Sequence, residues 1–416
     1  MTQEFDLGYI KGAAGPQGIQ GPAGQTGPQG PAGPTPSISI GQVTAVGADQ
    51  TPYVSRRAGS PDTAPILDFG LPSSGGDMLS ATYDPNRRHQ DVFAFCEARS
   101  GRRAASVVVA AADSADKARA DLVCDGVSDQ ITISQAVASL PAGGGRVLLL
   151  EGSYYLDCVN AEPDLFGDRT LISVSADNVS LTGQGRATRL VLADGAAASG
   201  GVYLLSAEGA GFQAADLVLD GNGALNAGAD VCGLILAEGA DGASLTRVLA
   251  RDCSSMGLAC LSEDDSLIAC AAYGCGAGLA LMGGRAQARA CCFAGNGCGV
   301  SISGGQHILS ECCIYDNLES GISGAGGVRC RICNNTLWGQ PLGIDLTAAT
   351  DCLISGNIIH RAQTAAAWGS GEYPLRLSSC VRPHAVSNYV YGKAVAAVSC
   401  TGAVLSYGGS DWNPTV

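Results

Sequence analysis

Apolar and polar positions in the second half of the chain repeat with a period in the low twenties. A glycine followed by an apolar residue opens a short segment at Gly233, Gly257, Gly278, Gly299, Gly321 and Gly343, in runs such as GLIL, GLAL and GVSI. The interval hardly changes from one to the next. Such short apolar segments read as strands, and a fixed period predicts a solenoid in which each coil pairs with the next. A leucine-rich repeat has a comparable period, but its Leu and Asn pattern is missing and cysteine takes its place. A second segment of each coil also aligns. Cys270, Cys291 and Cys312 form one column, and Cys292 and Cys313 another, continued by Asn335 and Asn357. Identical small residues one coil apart suit the interior and turns of an in-register stack, with Asn bonding along the ladder.

Upstream, the period changes. In DGVSDQITISQAVASLPAGGGRVLLLEGSYYL, starting at Asp125, the residues Ile131, Ile133, Ala136, Val137 and Leu140 give a short amphipathic helix. Pro141 and Gly143 to Gly145 end it, and Val147 to Leu150 begins a buried strand. A helix there covers the open end of a strand stack, which otherwise presents unpaired backbone groups. Nearer the start, Ile38 to Val46 and Ile66 to Leu71 read as strands between polar turns. Before them glycine recurs every third residue from Gly12 to Gly33, with Pro16, Pro22, Pro28, Pro31 and Pro34 between. Three polyproline-II strands wind together only around a residue without a side chain, so these triplets predict a homotrimer.

The expected layout is an N-terminal attachment segment (1–11), a collagen-like Gly-X-Y stalk (12–35), a β-rich shaft module (36–75), a linker (76–104), an N-terminal cap (105–146) and the stack itself (147–416). The fold class is all-β.

Composition sharpens this. Fifty-nine glycines beside 5% aromatic and 15% charged residues favour small side chains in regular turns. A net charge of −14 excludes nucleic acid and anionic membrane as partners, since both need clustered Lys and Arg. No run approaches the roughly 18 apolar residues of a membrane helix, and MTQEFDLGYIKG has no basic region leading into an apolar one. That start predicts synthesis in a cytoplasm. The 18 cysteines are then small buried hydrophobes rather than disulfides. Zinc is disfavoured because residues spread along columns do not converge on one ion.

The order of collagen triplets, SISIGQVTAV, ILDFGLP and GDMLSATYDPN resembles the stalk of tail proteins from phages of Gram-positive bacteria. The helix-then-strand segment from Asp125 resembles the N-terminal cap of pectate-lyase-like right-handed parallel β-helix proteins, including phage tail spikes. The resemblance implies a virion tail protein, assembled in the host bacterial cytoplasm, that joins tail or baseplate proteins at one end and a host surface glycan at the other. Two alternatives stay open: a polysaccharide depolymerase, acting as hydrolase or lyase, and a bacterial or spore-surface collagen-like protein.

Two clusters are candidates for chemistry. Counted from each opening glycine, Asp241 and Asp265 share offset eight in neighbouring coils, with Glu263 beside them and Arg285 and His307 in the same turn of the next two coils. Carboxylates one coil apart lie ~5 Å from each other, near the separation of a retaining glycosidase pair. The strip can serve as that pair, hold Ca²⁺, or place an Arg for lyase chemistry; otherwise it is a hydrated edge, and no cofactor is indicated. The second cluster is aromatic. Tyr273 and Tyr315 share an offset two coils apart, and Trp338 falls one position off in the next coil, a spacing that suits stacking on a glycan.

Overall fold

The computed structural model describes residues 38–46, 51–62, 64–72, 106–197, 199–361, 368–393 and 395–408. The attachment segment, the Gly-X-Y triplets and the linker lie outside the described residues. The chain divides into two compact units, Met1–Ala94 and Phe95–Val416.

In the first unit, β1 (Ser39–Val46) pairs in parallel with β3 (Ile66–Pro72), and β2 (Tyr53–Arg56) pairs antiparallel on the other side of β3. The Asp68 carboxylate accepts the Gln42 N–H at 2.6 Å and the Arg57 guanidinium at 2.7 Å. It thereby ties the first strand to the β2–β3 turn.

The second unit is a parallel β-helix. Each coil contributes three strands, and each strand pairs in parallel with its counterparts in the neighbouring coils. The coil from Met256 is typical: Met256–Cys260, Ser266–Ile268 and Ala271–Tyr273. The next runs Ala277–Leu281, Gln287–Arg289 and Cys292–Ala294. Ten first strands, from Arg169–Val174 to Ala396–Val398, form one sheet. The middle residue of each short third strand points inward, giving a fully buried file of Ala272, Phe293, Ile314, Leu337 and Ile359. Each large member stabilises the stack by ~1.5–3 kcal/mol.

Backbone proximity explains the repeating glycine. A Cβ on Gly299 would stand 2.5 Å from the Gly321 carbonyl oxygen, and one on Gly343 would stand 2.2 Å from that of Pro374. Each opening glycine thus lets the next coil's carbonyl close in, which no side chain permits.

The helix α1 (Asp129–Ala138) lies over the N-terminal end, with Ile133, Ala136 and Val137 buried. Ile131, expected on the apolar face, is 46% exposed, and Leu140 is half-buried. Asp129 locks the cap to the first coil. Its buried carboxylate accepts the Gly126 N–H at 3.0 Å and the Tyr155 N–H at 2.8 Å.

The turn columns account for many of the cysteines, whereas Cys313, expected to be buried, is exposed on a third strand. Between second and third strands, one position is filled in successive coils by Val248, Cys270, Cys291, Cys312, Asn335, Asn357 and Asn388. The two asparagines therefore continue the Cys270 column, not the Cys292 column as expected. Both residue types meet the same demand, because each aims a donor at the carbonyl of the inward residue of the preceding second strand. Cys270 Sγ reaches Leu245 O at 3.4 Å, Cys312 Sγ reaches Ala288 O at 3.7 Å, and Asn335 Nδ2 reaches Leu309 O at 3.0 Å. A thiol is a weak substitute for the amide in this place. Cysteine also recurs in the other turns, at Cys253 and Cys275 and at Cys330 and Cys352, all of them free and buried.

Candidate functional site

The acidic edge does not assemble as its offsets implied. The first strands pair Leu236 with Cys260, but the second strands pair Ser244 with Ser266, so the turn between them is shorter in the later coil. Asp241 consequently stacks on Glu263 rather than on Asp265. The Glu263 N–H donates to Asp241 Oδ1 at 3.0 Å, and the Gly242 N–H donates to Glu263 O at 2.8 Å. Asp265 turns inward and is fully buried, accepting the Ser262 hydroxyl at 2.7 Å and the Ala243 N–H at 3.3 Å. Burial pushes its carboxyl up to about 6. Arg285 stays on the surface and grips Asp264 with two N–H groups, at 2.6 and 2.8 Å, while a third contact reaches Glu263. Those hydrogen bonds hold Asp264 below the usual carboxylate range.

His307 is not a surface neighbour of the strip either. It is buried in the same turn column as Asp265, with Nε2 2.9 Å from Ser303 O and Nδ1 without a partner. A cleft of ≈ 320 Å³ remains, lined by Glu238, Asp241 and Glu263 among others. Among the described residues, no three His, Cys, Asp or Glu side chains converge as metal ligands.

The aromatic residues come together more closely than their spacing suggested. On the outward side of the third strands, one column runs Asp220, Arg251, Tyr273, Ala294, Tyr315, Trp338 and His360. Trp338 therefore falls in register with Tyr315 instead of one position off. The first strands pair Ile302 with Gly324 and the second strands pair Ile308 with Arg331, so the turn between them lengthens in the later coil and absorbs the offset. The Tyr315 and Trp338 rings stack with centroids 4.4 Å apart and planes within 1°. Trp338 and His360 follow at 6.1 Å, and the Tyr391 ring meets His360 edge-on at 6.0 Å.

Face-to-face stacking along the coil axis turns the ring edges outward. The column is a half-buried aromatic ridge, not a row of separate platforms. Tyr273 stands apart from it, across the small Ala294, and its hydroxyl and that of Tyr315 both approach the Cys292 thiol.

Beyond Tyr273 the same column becomes polar, and the residues there were not singled out from sequence. Asp220, 4% exposed, accepts Arg189 Nη2 at 3.0 Å and Arg251 Nε at 3.0 Å on one oxygen, Arg251 Nη2 on the same oxygen, and the Asn222 N–H at 3.1 Å on the other. Burial works to raise its pKa, and these donors outweigh it, leaving the carboxyl below its ordinary value. An open cleft of ≈ 380 Å³ borders the cluster. The register of third strands is the signal that would have joined these residues to the aromatic column.

Comparisons with known proteins agree on the architecture. A family model described as the right handed beta helix region matches residues 233–400. No curated protein matches the sequence. Among solved structures, the Dettilon tailspike protein superposes with a TM-score of 0.55 at 15% identity, covering 75% of this chain and 62% of that one. The chain thus spans less than two thirds of that tailspike's length. The A-module of a mannuronan C-5 epimerase from Azotobacter vinelandii gives a TM-score of 0.48 at 18% identity, over 70% of this chain and 95% of that module. A tailspike mutant of an Escherichia coli bacteriophage, solved with a pentasaccharide, gives 0.46 at 11% identity, over 67% and 58%. The family model and the Dettilon likeness show that the coils form a right-handed parallel β-helix.

Proposed function

We propose that this chain is a tail fibre or tail spike of a bacteriophage or prophage that binds polysaccharide on the host cell surface. The observation that carries the reading is the outward ridge of Tyr315, Trp338, His360 and Tyr391 on a β-helix of tailspike-like fold. Exposed ring edges carry the positive end of the ring quadrupole and suit sugar hydroxyl oxygens, rigid side chains give contact area at little entropic cost, and the surrounding turns supply hydrogen bonds. Residues 1–11 then attach to the tail or baseplate, and the glycine triplets of 12–35 join three chains. Three copies of a weak binding face add their affinities through avidity. The acidic edge lends no support to a depolymerase, since Asp241 and Asp265 do not form a pair and Asp264 and Glu263 are tied to Arg285.

Adsorption of the purified full chain to bacteria, competed by surface polysaccharide extracted from the same strain, tests the reading. The expected result is saturable adsorption that free polysaccharide abolishes, and that Tyr315→Ala plus Trp338→Ala weakens by about tenfold. Adsorption to no strain of a broad panel, or adsorption indifferent to free polysaccharide, would overturn it. Release of reducing ends in the same reaction would add a cleaving activity to the binding.

A further inference from the structure

We propose that the cleft beside Arg189 and Arg251 is a subsite for an acidic group of the polysaccharide, a uronate carboxylate or a phosphodiester, on the same outward column as the aromatic ridge. The inference rests on the proposed adhesin function and names the chemical class of its ligand. Position is the first argument. Arg251 is the in-register neighbour of Tyr273, so the cleft and the aromatic residues lie along one column of one sheet. A chain laid along this face meets both.

Donor chemistry is the second argument. Asp220 takes one N–H from Arg189 and two from Arg251, whereas each guanidinium carries five donors in a planar fork. Most of those donors have no other partner among the described residues, and both side chains are 39% exposed toward the cleft. Two cations thus share one buried carboxylate and retain the fork that a second anion matches. Asp252, 56% exposed, stands 3.9 Å from Arg251 Nε without a hydrogen bond to it, so a bound anion competes only with a solvated carboxylate.

Charge is the third argument. A chain of net charge −14 repels a polyanion over most of its surface, whereas at this cleft two guanidiniums face one buried and one solvated carboxylate, so an acidic glycan meets spare donors without a local excess of negative charge. That makes the cleft a register mark. It fixes which residue of a repeating glycan meets which coil, while the aromatic ridge supplies contact area.

The test measures binding of the full chain to three forms of the surface polysaccharide of an adsorbing strain: native, carboxyl-reduced and dephosphorylated. The proposal expects one of the two treatments to weaken binding about tenfold, and which one does so identifies the acid. Asp220→Asn supplies an arm that a purely structural role cannot mimic. Removing the internal competitor while keeping the side chain's shape should tighten binding to the native polymer by about fivefold at low salt, with Arg189→Gln acting in the opposite direction. Equal binding to all three forms, or no gain in Asp220→Asn, overturns the acidic subsite and leaves the adhesin standing. Binding to none of the three forms, including the native polymer, overturns the adhesin reading itself.

Discussion

Replacing Asn357 by alanine removes one rung from the buried amide ladder and strips the Asn335 backbone N–H of its acceptor. Asn357 is fully buried. Its Oδ1 accepts the Asn335 backbone N–H at 2.9 Å and Asn335 Nδ2 at 3.0 Å, while its Nδ2 donates to Ile332 O and Asn388 Oδ1, both at 2.8 Å. In the alanine variant the Asn335 N–H has no acceptor and no route to water, which costs ~1–3 kcal/mol, and the other lost bonds cost about 1 kcal/mol each. The expected loss is about 5 kcal/mol. Cysteine at the same position should cost about half as much, because the thiols of Cys270, Cys291 and Cys312 already reach the equivalent carbonyls two to four coils away. Urea unfolding midpoints of wild type, Asn357→Cys and Asn357→Ala should fall in that order. Amide exchange should quicken first in coils flanking the substitution, because a solenoid is held by nearest-neighbour contacts. A cysteine variant no better than alanine would refute the idea that thiol and amide meet the same demand. An alanine variant within ~0.5 kcal/mol of wild type would refute the ladder energetics altogether.

Two further substitutions probe the stack. Asp265 has a folded-state pKa raised by burial from 3.8 to about 6, so its contribution to stability is full below 3.8 and is lost as pH rises through about 6. Asp265→Asn should remove up to about 3 kcal/mol of this pH dependence, read as the difference between variant and wild-type urea midpoints from pH 4 to 8. His307, held below its ordinary value by burial, gives the opposite slope as pH falls and cancels in that difference. Gly299→Ala should destabilise by at least about 2 kcal/mol because its Cβ collides with backbone. Gly143→Ala, which meets nothing within 4 Å, should leave the unfolding midpoint unchanged; equal effects at the two positions would dismiss backbone proximity as the reason for the glycine period.

The β-helix was legible in the sequence because its period is enforced by contacts that only glycine permits, and those recur at Gly233 through Gly343. The cap helix was legible for the same kind of reason, since Ile133, Ala136 and Val137 sit at helical spacing before Pro141. What failed was counting across turns. Offsets from the opening glycine hold along a strand but slip wherever the turn changes length, as it does after Leu236 and after Gly324. The first slip dissolved the Asp241–Asp265 pair, and the second concealed that Trp338 stacks on Tyr315. The Arg189–Asp220–Arg251 cluster escaped notice because Arg189 and Asp220 come from longer coils upstream of Gly233, where the period is not yet marked, and only Arg251 lies inside the counted repeat.

Hydroxyl-radical footprinting of the full chain, with and without surface polysaccharide from an adsorbing strain, tests the central claim most directly. The account predicts that oxidation of Tyr315, Trp338 and Tyr391 falls on binding, while that of Met256 and Met282, which belong to the first-strand side of the coils, is unchanged. Protection of the methionines with no change at Trp338 would place the receptor on another face and contradict it.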